Sequence, residues 1–186
     1  MEYVFYIIAA FLNLSADTEH NQHNLEKDWC DHHQLTWDDF SGHPDEYSNF
    51  SAVSATYIEA EHGCSESGEF HYSVKAVFVA DQSWSVDKYS THLLNHEQVH
   101  FDLTEYYARK LRKKFDDLKN PCAMPQENIM MMLDTLYDDL EMAHKLYDEV
   151  TIHGLHKENQ SMWDRFVAES LHDLSRYSCP HERIRY

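Results

Sequence analysis

Residues 96–100 read His-Glu-Gln-Val-His. On an α-helix, residues four apart stand on one face, so the imidazoles of His96 and His100 can reach a single tetrahedral Zn2+ at about 2.0–2.1 Å. Glu97 lies about 100° further round the helix, which sets its carboxylate beside the metal rather than on it. In that position it is the general base that takes a proton from water attacking a polarised carbonyl. The expected chemistry is zinc-assisted hydrolysis of a peptide bond, with His96 and His100 as ligands and Glu97 as the catalytic residue. Leu93, Leu94, Val99 and Phe101 surround the motif, so part of the segment must be buried. A histidine pair beside buried positions needs polar partners or a metal, because an unpaired buried polar group costs about 2–7 kcal/mol. No GxSxG elbow, phosphate-binding loop or EF-hand loop competes with this reading, and four glycines leave little material for one.

The motif needs a helix, and apolar residues from Leu93 to Phe115 recur at spacings of three and four. The pattern predicts a helix from about Asp87 to a stop at Asn120-Pro121. A second helix is expected from Pro125 to near Gly154, and a third over roughly Glu158 to Ser175. Ahead of them, residues 51–61 and 69–80 read as strands, the second alternating with period two, joined by the turn EHGCSESG into an antiparallel pair. The order predicts an α+β domain over residues 35–186: antiparallel strands, then three helices, with HExxH on the first long one. Residues 35–45, LTWDDFSGHPD, form a short aromatic element before a turn. Residues 17–34 are polar, carry His20, His23, His32 and His33, and read as a flexible leading segment. The basic run Arg109, Lys110, Arg112, Lys113, Lys114 reads as a solvated helix face.

The chain has 186 residues and a formal charge of -18, a field that repels nucleic acid and anionic membrane surfaces. Tyr3 to Leu14 carry no charge and precede Leu14-Ser15-Ala16, so residues 1–16 read as a signal peptide too short for a membrane span. The expected location is secreted or periplasmic. Four widely spaced cysteines, Cys30, Cys64, Cys122 and Cys179, then imply two disulfides with three connectivities open. No CxxC pair supports a cysteine zinc site.

LTWDDFSGHPD, Ser83-Trp84, LLNHEQVHFDLTEYYARKL and the block YDEVTIHG with Gln160 and Trp163 together resemble a bacterial family of predicted secreted zinc-dependent proteases, known as a domain of unknown function. The four blocks span nearly the whole exported chain in order. The resemblance implies a zincin-like fold, zinc as cofactor, export, and a peptide or protein substrate. It also points to Tyr147–Gly154 for the third zinc ligand. His153 is favoured there, since it matches a T-x-H-G word at a helix end where the ring can turn. Glu149 is the alternative of the two-histidine-one-carboxylate type, and Asp148 is either a ligand itself or a carboxylate holding an imidazole N–H. A zinc-binding scaffold without catalysis is the competing function. Substrate and oligomeric state are left open.

Overall fold

The computed structural model describes residues 25–31, 33–179 and 182–185. The expected signal peptide and residues 17–24 lie outside them. In chain order the strands are β1 (Glu26–Asp28), β2 (Ala52–Val53), β3 (Thr56–Cys64), β4 (Phe70–Val79), β5 (Trp84–Ser85) and β6 (Glu182–Arg185). The helices are α1 (Thr91–Asp117), α2 (Gln126–Thr151) and α3 (Lys157–Asp173). This is the expected α+β order of antiparallel strands and three helices.

The alternation in β4 turns Phe70, Tyr72, Val74, Ala76 and Phe78 onto one buried face. There they meet Phe101, Leu111 and Phe115 of α1 in one apolar core. β3 and β4 pair antiparallel from Thr56↔Phe78 to Cys64↔Phe70, the hairpin anticipated from the sequence. On its other side β4 pairs β1 near Val79 and β6 near Phe70. β4 is therefore internal, and among the described residues β3 forms one edge of the sheet while β1 and β6 form the other.

Ser90 caps α1 by accepting from the Leu93 N–H, so the helix starts a few residues later than its apolar pattern suggested. α2 stops in left-handed backbone: Ile152 and His153 have φ of 53° and 51°, and Gly154 follows at 82°. A β-branched residue rarely adopts that conformation, and the turn aims residues 152–154 back at α1.

Two expectations are corrected. The flexible segment read over residues 17–34 is ordered in its described second half. Backbone pairing forms β1, the Trp29 indole N–H donates to Asp102 at 2.8 Å, and Cys30 is bonded to Cys179. Charged residues hid this strand, because its pairing is carried by main-chain groups that have no signature in side-chain type. The basic run on α1 is likewise not one solvated face. Arg112 is fully buried and Arg109 nearly so, both bonded to the buried Glu105. Of the three disulfide connectivities, the fold selects Cys30–Cys179 and Cys64–Cys122, leaving no free thiol. Among the described residues no helix is long and apolar enough to cross a membrane.

Candidate metal centre

α1 and the C-terminal turn of α2 bring three side chains together. His96 Nε2 and His100 Nε2 lie 3.1 and 3.0 Å from the same oxygen, Asp148 Oδ1. The ligating atoms of His96, His100 and Asp148 all fall within 4.8 Å of one another. Four tetrahedral donors at ordinary zinc distances stand about 3.3 Å apart, so the two N···O separations suit a shared ion. His153, favoured from the sequence as third ligand, stands outside this triple with a half-exposed ring. Its Nδ1 is 3.5 Å from Asp148 Oδ1. Glu149 is exposed.

Gln160 Nε2 donates to Asp164 Oδ1 at 2.8 Å, and an ionised carboxylate only accepts. The amide oxygen of Gln160 therefore faces His96 Nδ1, 3.1 Å away, and that nitrogen must carry the hydrogen. In a neutral ring this leaves a bare lone pair on Nε2, aimed at a carboxylate oxygen. Acceptors facing each other at 3 Å need a cation between them, either added protons or a metal ion.

The charge environment agrees. With protons as that cation, burial raises the Asp148 pKa, but hydrogen bonds from His100 and His96 and the charges of those rings outweigh it and hold the carboxyl far below its usual range. His100 moves the opposite way: burial lowers its pKa, and the bond to Asp148 with the charges of Asp148 and Glu97 more than restores it. Glu97 is 3 % exposed. Burial raises its pKa above the ordinary carboxylate value, with the charges of His100 and His96 and a hydrogen bond from Ser54 opposing.

Packing explains the wider sequence block. Tyr147 stacks on His96 with ring centroids 4.6 Å apart, and Trp163 packs on Tyr147. Thr151 donates to the Tyr147 carbonyl at 2.7 Å and receives the Gly154 N–H. A Cβ on Gly154 would sit 3.1 Å from Cβ and Cγ of His96, so the turn passes this close to the imidazole as glycine. His92, one turn before His96, bonds the Gly154 carbonyl. Phe50 packs on the His153 ring at 4.8 Å.

Sequence reasoning missed His144. It lies one helical turn before Asp148 on α2, with Nδ1 2.9 Å from His100 Nδ1. The i, i+4 spacing of His144 and Asp148 was its one available signal. The SW pair is structural: Ser83 Oγ receives the Ala55 N–H and donates to the Val79 carbonyl, and Trp84 pairs with Val53.

A family described as "Bacterial protein of unknown function (DUF922)" matches residues 71–154, from β4 through the left-handed turn after α2. The match contains His96, Glu97, His100, His144, Asp148 and His153. No curated protein and no solved structure matches the chain.

Proposed function

We propose that this chain is an exported, zincin-like zinc peptidase in which His96, His100 and Asp148 hold the metal and Glu97 is the general base. The observation that carries the proposal is the convergence of two imidazole nitrogens and one carboxylate oxygen at 3.0–3.1 Å, beside a buried glutamate. Three protein donors are the number that catalytic zinc sites use. The bonds of Gln160 to His96 and of His144 to His100 supply the outer partners that orient ligating histidines. Zinc in such a triple acts as a Lewis acid on a carbonyl oxygen and makes water acidic near neutral pH.

Glu97 accepts the proton from the attacking water and delivers it to the leaving amine. Burial raises its proton affinity above that of an ordinary carboxylate, the direction that suits a group that must both take and give a proton. The Ser54 hydroxyl donates to the main-chain carbonyl of Glu97 at 3.4 Å, and Ser54 lies just before the edge strand β3. An extended peptide adding to that edge would run close to Glu97. Two disulfides, the bonds of oxidising compartments, support a location outside the cytoplasm.

Zinc stoichiometry and hydrolysis of a peptide library, measured on the unaltered protein and on Glu97→Ala, test this reading. One zinc per chain in both proteins, with turnover only in the first, supports it. Wild type that binds no zinc, or that cuts nothing while Glu97→Ala releases the metal, rejects it.

The approach of His153 to Asp148 supports a second reading, a four-ligand site closed by His153 that stabilises a binding protein. Absorption of the Co2+ form separates the two. A spectrum unchanged by small anions marks a closed site, and one that shifts with them marks an open position.

A further inference from the structure

We infer that His144 is a positioning residue that fixes the ring of His100 as the Nδ1–H tautomer and so turns the Nε2 lone pair toward Asp148. The inference rests on the zinc-site reading above and follows from counting hydrogens outward from His100. Thr104, fully buried on α1, has one hydroxyl hydrogen and donates it to the His100 carbonyl at 3.0 Å. Thr56, on the edge strand β3, is 2.8 Å from the Thr104 hydroxyl and must therefore be the donor of that pair. The second lone pair of Thr104 faces His144 Nε2 at 3.4 Å, so Nε2 carries the hydrogen of the His144 ring. His144 Nδ1 is then a bare acceptor. It lies 2.9 Å from His100 Nδ1, and two ring nitrogens that close need one hydrogen between them. That hydrogen belongs to His100.

The opposite assignment fails at its far end. With hydrogen on His144 Nδ1, its Nε2 lone pair would face a Thr104 oxygen whose only hydrogen is already committed. A partly buried histidine acting as acceptor to a ligating histidine replaces the carboxylate or carbonyl more often found there. It leaves the ligand bonded without adding a negative charge to the Glu97 and Asp148 pair. The chain Thr56, Thr104, His144, His100 also ties the edge strand to the metal ligand, fixing strand and site relative to each other.

Zinc affinity, measured by competition with a chromophoric chelator, tests the inference together with 15N NMR of the histidine rings in the zinc-loaded protein. His144→Leu removes the acceptor and is expected to weaken zinc about 10–100-fold. His144→Asn places Oδ1 where Nδ1 stood and should recover most of that loss. In wild type and His144→Asn, the His100 ring should be protonated at Nδ1. Zinc bound by His144→Leu as tightly as by wild type, or His144→Asn no better than His144→Leu, overturns the inference while leaving the metal site standing. If His144→Leu does not fold, the NMR of the unaltered protein decides: a His100 ring without hydrogen on Nδ1 rejects the role. Failure of the unaltered protein to bind zinc removes the site reading and this inference with it.

Discussion

α1 carries two buried polar clusters about two turns apart, and they are built on opposite terms. In the C-terminal half, Arg112 donates to the Val74 carbonyl from Nε and Nη2, to Glu105 from both terminal nitrogens, and to the Tyr177 carbonyl. Arg109 donates to Glu105 and to the Leu171 carbonyl. Donors meet acceptors and opposite charges meet, so the cluster is complete in itself. In the N-terminal half, His96, His100 and Asp148 turn acceptors toward one another, with the buried Glu97 adding a further carboxylate. The difference teaches how to tell a structural ion network from a site that needs a ligand: burial and charge are common to both, and only the donor count separates them.

The largest expected effect is on the incomplete cluster. His96→Ala and His100→Ala should each lose zinc by orders of magnitude in affinity, and Asp148→Ala should lose far more than His153→Ala when chelator competition is measured side by side. The reverse order at 148 and 153 would return the third ligand to the residue favoured from sequence. Next comes Glu97→Ala, for which a turnover loss of about 100- to 10,000-fold is expected at unchanged zinc stoichiometry. Equal losses of metal and activity would break the division of roles between ligand and base.

For the complete cluster, Arg112→Leu leaves Glu105 buried with one partner fewer. It should cost about 3–5 kcal/mol in urea unfolding, with zinc affinity of the folded protein unchanged. Replacing Glu105, Arg109 and Arg112 together by apolar residues should regain part of that loss, because it removes all three charges and strands none. If Arg112→Leu instead weakens zinc as strongly as His96→Ala, the two clusters are not independent.

The smallest effect concerns the partly buried pair Lys27–Asp39 at 2.8 Å. Burial raises the Asp39 pKa, and hydrogen bonds from Lys27 and Thr36 outweigh it, so the folded value lies below the ordinary one. A depressed carboxyl contributes stability above its unfolded pKa and loses it as pH falls through the folded value. Asp39→Asn should therefore lower stability at neutral pH by less than about 1 kcal/mol and converge on wild type in acid. A larger gap at acid pH than at neutral pH would contradict the sign.

The block from Tyr147 to Trp163 shows how far sequence alone reaches. It is legible as a unit tied to the histidine pair, yet the work of each residue is not. Tyr147 stacks on His96, Gln160 bonds it, Gly154 admits the turn beside it and Trp163 supports Tyr147. These contacts join parts of the chain 16 to 64 residues apart, where no periodicity operates.

Features set by local geometry could be read directly from residue order. The 3.6-residue repeat puts His96 and His100 on one face with Glu97 beside them, and the two-residue repeat of Phe70–Val79 makes a strand with one buried side. The even cysteine count implied two disulfides. The partners come from tertiary structure: which cysteines pair, that β4 is internal, that Arg109 and Arg112 are buried, and that Asp148 is the carboxylate meeting both histidines. It also decided that His144 stands behind His100. The physical reason is range. Helix and strand periodicities fix directions within one element, whereas a shared ion or a hydrogen bond between helices depends on how α1 and α2 pack. That packing is set by the whole core rather than by any short stretch of residues.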